Sequence, residues 1–280
     1  MNSIFLETSA VATLFYKSPS ERKALETTIP EGAILISSQY VVFELSRGFV
    51  QYLIWIHNRA TLVTKFSDLY AYCNSMRRRI NFTGAMFEMF KFFEQYVSDN
   101  GLTAPREMPM DEYKLVIFRA FVRRTIRRSW SNFHKRINSF VNNVGCRSIP
   151  PPTTDAKGQF TQELRTRLCG KRDKCGLKDY VGSHRRDFEK LQLNLSHIKN
   201  PDPETTKRVT SLHELYRWDK KEFQKSDCYN CGDPIIAHEA PAEHPILTLN
   251  HKHFEPISKI FQKQLVPLAG VPPQDDETSG

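Results

Sequence analysis

The sequence predicts an α/β fold, a central parallel sheet split by a long and mainly helical insertion, and three observations carry that prediction. Residues 1–59 alternate short apolar runs with helical patterns, the grammar of parallel strands joined by helices. The same grammar returns only near the other end, in GDPIIAHEA, PILTLN and KHFEPISKIF. Between them the chain reads as helix and loop. The expected organisation is an N-terminal half of the core at 1–59, a helical basic insertion at 60–226, a C-terminal half at 227–268 and a disordered polar tail at 269–280.

Taken in order, SIFLETSAVATLFY opens with a buried strand at Ile4–Leu6 that turns at Thr8 and Ser9 into an apolar helix. SERKAL follows Pro19 with a serine suited to capping a second helix. Gly32 then breaks the chain, and Ala33–Ile36 is short and apolar enough for an inner parallel strand. Residues 39–57 repeat apolar side chains at helical spacing. GLTAPREMPM, with its glycine and two prolines, interrupts the helical stretch that follows. From 111 to 144 one amphipathic helix is expected, with Leu115, Phe118, Val122, Ile126, Phe133, Ile137, Phe140 and Val144 on a single face. SIPPPTTDAKG is a linker, and TTKRVTSLHELYRWDKKEFQ a further helix at 205–224.

Composition sets the outer bounds. A chain of 280 residues, 40% of them hydrophobic, can bury a proper core. Its longest apolar run, VVFELSRGFVQYLIWI, is broken by Glu44, Arg47 and Gln51 and falls short of the roughly 20 clean residues of a membrane span. MNSIFLETSA has no basic start and reaches an acid early, so no secretory signal is read and a cytoplasmic protein with reduced thiols is expected. A formal charge of +9 points to a polyanionic partner such as nucleic acid.

Open α/β sheets place their sites at the carboxyl ends of strands, which makes the polar residues there informative. Glu7 directly follows the first strand, Glu44 lies in the helix after the second, Asp233 begins the helix before ILTL, and Asn250 ends that strand. Each has a plainer reading. Asp233 before Pro234 suits a helix N-cap, and Glu44 and Arg47, three apart on a helix, suit a simple ion pair. Glu7 is harder to dismiss, since an acid ending an apolar strand is poorly placed for solvation.

FLETSAV, YVVFELSRG, DPIIAHEA and LTLNHKHF, in that order, resemble the motifs of the PIN-domain nucleases. The resemblance covers about residues 1–57 and 227–267 and implies a three-layer PIN-like fold around the parallel sheet. It implies a nuclease, with Glu7, Glu44, Asp233 and Asn250 as catalytic ligands of Mg²⁺ or Mn²⁺. Such hard ions want carboxylate oxygens and water, and promote phosphodiester hydrolysis. Thr8, Ser9, Arg47 and His251 would orient the ligands or touch the phosphate, RNA is favoured over DNA, and a protein inhibitor or oligomeric partner is a further expectation. Two positions depart from the pattern: Glu7 and Asn250 both stand where aspartate is usual. An inactive PIN-like module that binds RNA or protein is the alternative.

Cys228-Tyr-Asn-Cys231 has the spacing of a zinc knuckle, and Cys169 with Cys175 could complete a structural Zn²⁺ site. Reduced thiols filling small buried spaces are the plainer reading. Treating LNHKHFEP as a catalytic strand, with His251 or His253 as base, gives a zinc-braced His-Asn-His nuclease, which leaves FLETSAV and VVFELSRG unexplained. On the substrate side, Arg123, Arg124, Arg127 and Arg128 lie in an acid-free run from 113 to 136 interleaved with Phe121 and Trp130. That composition suits tracking phosphates, or a solvated helix face.

Overall fold

A computed structural model describes residues 3–76, 83–161, 175–216 and 225–268. Four short strands, β1 (Ser3–Leu6), β2 (Ile34–Ser38), β3 (Ser139–Val141) and β4 (Ile246–Leu247), lie in the order β3-β2-β1-β4, and every pairing is parallel. The fold is thus mixed α/β, with a small sheet and mostly helical content. The two central strands are the two apolar runs of the N-terminal half, with Phe5, Leu6, Leu35 and Ile36 buried. Their carboxyl ends point the same way. That edge is where β1 passes into Glu7 and β2 ends at Ser38.

Helix α1 (Thr8–Tyr16) follows β1, and α2 (Pro19–Glu26) starts at a full capping box in which Ser18 and Glu21 satisfy each other's backbone. Gly32, at φ +72°, makes the turn into β2. Ser38 caps α3 (Gln39–Leu45) by accepting from the Val41 amide. A π-helical turn at Ser46–Val50 then joins α3 to α4 (Gln51–Ala60), and such turns are frequent at functional sites.

The middle of the chain supplies α5 (Phe66–Ser75), α6 (Thr83–Asp99) and α7 (Met110–Arg136). Phe66, Phe90, Phe93 and Phe118 meet edge-on and stacked where these three pack. The helix expected through 144 stops at Arg136, although the apolar period continues. Asn138 is the reason: its side-chain oxygen accepts from the Leu35 amide, and its own amide donates to the Leu35 carbonyl. Those two bonds draw the chain into the sheet as β3. Residues 60–226 therefore contribute a strand to the core sheet.

After the 148–158 loop come α8 (Leu177–Ser183), α9 (Arg185–Ser196) and α10 (Pro203–Tyr216), and the last eight residues of the helix expected at 205–224 lie outside the described residues. Then α11 (Lys225–Asn230), α12 (Gly232–Glu239), β4 and α13 (His251–Phe261) close the core. The tail at 269–280 also lies outside the described residues. Among the described residues no helix is long and apolar enough to cross a membrane.

Candidate active site

The carboxyl end of β1 fixes the first acid. The Glu7 amide donates to the Leu247 carbonyl across the β1–β4 pair, and the side chain is only 4% exposed. Ser9 donates its hydroxyl to Glu7 Oε2 at 2.5 Å and accepts from the Leu249 amide, which ties Glu7 to the chain leaving β4. Burial is the main force on this carboxyl. With the negative charges of Asp233 and Glu44 adding to it, the Glu7 pKa is pushed up to about 8.

Glu44 reaches the same place from α3. The Thr8 hydroxyl donates to its Oε2 at 2.5 Å, and burial followed by the Asp233 charge raises its pKa, against Arg47 and Thr8. Asp233 arrives from α12. It is not the cap of that helix, because the N-cap position is Cys231 and Asp233 sits in the first turn. Gly232 matters at this junction: a Cβ there would meet Glu44 Oε1, so any larger residue would have to turn the Glu44 carboxylate aside. Three acids distant in sequence therefore converge, and each is harder to ionise than a solvated carboxyl.

Cations already stand among them. Arg208, buried on α10, donates from Nη2 to Asp233 Oδ2 at 2.5 Å. Arg47, from the π turn, lies 3.7 Å from Glu44 Oε1, and its guanidinium rests on the Tyr229 ring at 3.2 Å from the centroid. His253 lowers the Asp233 pKa from α13 and is itself paired with Glu204 Oε2 at 3.2 Å. Burial outweighs these partners, and the Asp233 pKa still ends above its ordinary value.

The donor set, three carboxylates, is of the oxygen type that Mg²⁺ or Mn²⁺ takes. Among the described residues no group of three or more His, Cys, Asp and Glu side chains stands ready to hold a metal ion, and the arginines engage two of the three acids. Asn250, expected to end a strand, stands past β4 (Ile246–Leu247) at the N-cap position of α13, with its Nδ2 3.0 Å from His253 Nδ1. His251 is half-buried, and its Nε2 has no hydrogen-bond partner. Glu239, a carboxylate further along α12, accepts from the Val144 amide at 3.0 Å and belongs to the packing of α12 on the loop after β3.

Cys175, Cys228 and Cys231 are free thiols, and Cys169 lies outside the described residues. Burial raises the Cys228 pKa, against the lowering effects of Arg47 and the Tyr40 hydroxyl. The Cys228 sulfur is 3.3 Å from the Tyr40 hydroxyl and 3.8 Å from Arg47 Nη1. The histidines at 251 and 253 open α13, not the strand on which the His-Asn-His reading places them.

The structure does not bring the basic helix to the acids. Arg123, Arg124, Arg127 and Arg128 are exposed on α7; Arg127 donates to Thr154, and Arg123 and Arg127 bear on His57. The cation that sequence reasoning missed is Arg208. Its signal was an arginine on the buried stripe Thr205, Arg208, Leu212 and Leu215 of a predicted helix, a place where an unpaired charge is costly. Against models of protein families, curated proteins and solved structures, the chain finds no match.

Proposed function

We propose that the chain is a PIN-like, divalent-metal-dependent nuclease that hydrolyses phosphodiester bonds in RNA. The observation that supports it most is the convergence of Glu7, Glu44 and Asp233 at the carboxyl edge of a parallel sheet, with their pKa values raised by burial and by one another. Glu7, Glu44 and Asp233 would hold Mg²⁺ or Mn²⁺, with Asn250 offering a neutral oxygen. An ion held there supplies Lewis acidity toward a phosphate oxygen and toward the attacking water.

The chain's own residues do the rest. Thr8 and Ser9 fix the rotamers of Glu44 and Glu7 through short hydroxyl bonds, so two acids from different elements keep one orientation. Arg47, its guanidinium over the Tyr229 ring, sets a permanent positive charge beside the site, where phosphate charge would gather. Glu7, with a pKa near 8 in the ion-free chain, can exchange a proton close to neutral pH. The preference for RNA comes from the PIN-domain resemblance, and the cytoplasmic setting from the N-terminal sequence pattern.

One observation favours a second reading. The Arg208–Asp233 pair and the neutral Asn250 describe an acidic site that already balances much of its own charge, as an inactive binding module would. Cleavage of single-stranded RNA and DNA in Mn²⁺ against EDTA separates the two. A nuclease loses about 100-fold or more of its Mn²⁺-dependent rate in Asp233→Asn and Glu44→Gln. Wild type that cuts no RNA or DNA at any Mn²⁺ concentration leaves the binding module standing.

A further inference from the structure

Arg208 does not reach the site alone. Helix α10 presents Glu204, Arg208 and Ser211 at four- and three-residue steps, hence on one face, and each meets the core. Glu204 pairs with His253 of α13 at 3.2 Å, Arg208 with Asp233 of α12 at 2.5 Å, and the Ser211 hydroxyl accepts from Asn230 of α11 at 2.9 Å. The helix start is fixed as well, since Asp202 accepts from the Glu204 and Thr205 amides. A helix from the middle of the chain is thus docked along the three consecutive core helices that carry the C-terminal part of the site.

The central contact of this docking spends the carboxylate oxygen that a divalent ion would need. Asp233 Oδ2 accepts from Arg208, whose side chain is 6% exposed and whose charge also bears on Glu44. We propose that Arg208 is a built-in competitor of the divalent cation: it neutralises Asp233 in the ion-free chain, and an ion binds by taking Asp233 from it and loosening α10. The inference builds on the divalent-ion reading above. Its reasoning is linkage: two cations that need the same buried oxygen must weaken each other by one coupling factor.

The test titrates Mn²⁺ alone, reading free ion by paramagnetic resonance, into wild type, Arg208→Gln and the Arg208→Gln/Asp233→Asn double variant. Arg208→Gln is expected to bind Mn²⁺ about tenfold more tightly, within the range of ordinary coupling energies, and the double variant to lose that gain. Equal or weaker binding by a folded Arg208→Gln overturns the competition while leaving the divalent site intact. No binding by any of the three overturns both. Wild type supplies a measurement that needs no variant. Saturating Mn²⁺ should speed amide exchange in residues 203–216, and binding with unchanged or slower exchange there contradicts the proposal.

Discussion

Glu7 is the residue under most tension, because it is an acid sealed at the end of a strand beside two other acids. Its pKa near 8 in the folded chain exceeds the ordinary value of 4.5. The protonated form is therefore the one that folding favours. Stability that is complete below the unfolded value is lost as pH rises from there through about 8, since the unfolded chain ionises first. Glu7→Gln removes the titration, so the variant is expected to be more stable than wild type at pH 8 by at least about 1 kcal/mol and no different near pH 4. Melting curves across that range check it, and parallel profiles would contradict the account. Gly232→Ala tests the neighbouring contact. The added Cβ meets Glu44 Oε1, so a cost of about 1–3 kcal/mol and weaker Mn²⁺ binding are expected by calorimetry.

At the scale of elements, the parts legible in the sequence were those set by local pattern. β1 and β2 are short apolar runs ending in polar residues, and α1 and α3 follow them directly. The acids at those junctions were legible for the same reason. Contacts between distant residues were not. The end of α7 is decided by Asn138 bonding to Leu35, a partner 103 residues away, while Ile137, Phe140 and Val144 continue the helical period through it. Arg208 was hidden in the same way, for its meaning depends on Asp233 lying opposite. Asn138→Ala leaves the Leu35 amide without its acceptor and frees the edge of the sheet, with an expected loss of about 1–2 kcal/mol in denaturant unfolding. Asn138→Asp, which keeps an acceptor oxygen, should lose less.

On the scale of the whole molecule, the exposed arginines of α7 and the buried acids are two distinct features. A net charge of +9 coexists with a buried acidic site, and on α7 the exposed Arg127 donates to Thr154 while the charges of Arg123 and Arg127 bear on His57. Under the proposed function, long-range attraction of a polyanion belongs to that basic face and ion binding to the acids. Reversing Arg124 and Arg128 to Glu should accordingly weaken RNA binding and flatten its salt dependence, by roughly 0.7 in log–log slope for each phosphate contact removed. Mn²⁺ affinity should stay as in wild type. A filter-binding series in increasing salt reads the first effect and calorimetry the second. A loss of Mn²⁺ affinity in the reversed variant would mean the two charges are not separate.

The central claim is that Glu7, Glu44 and Asp233 hold one divalent centre, and anomalous diffraction from crystals soaked in Mn²⁺ tests it most directly. The account predicts an anomalous peak about 2 Å from carboxylate oxygens of these residues, with Arg208 drawn off Asp233. A soaked crystal with no peak at these acids, or with Mn²⁺ bound only elsewhere, would contradict it.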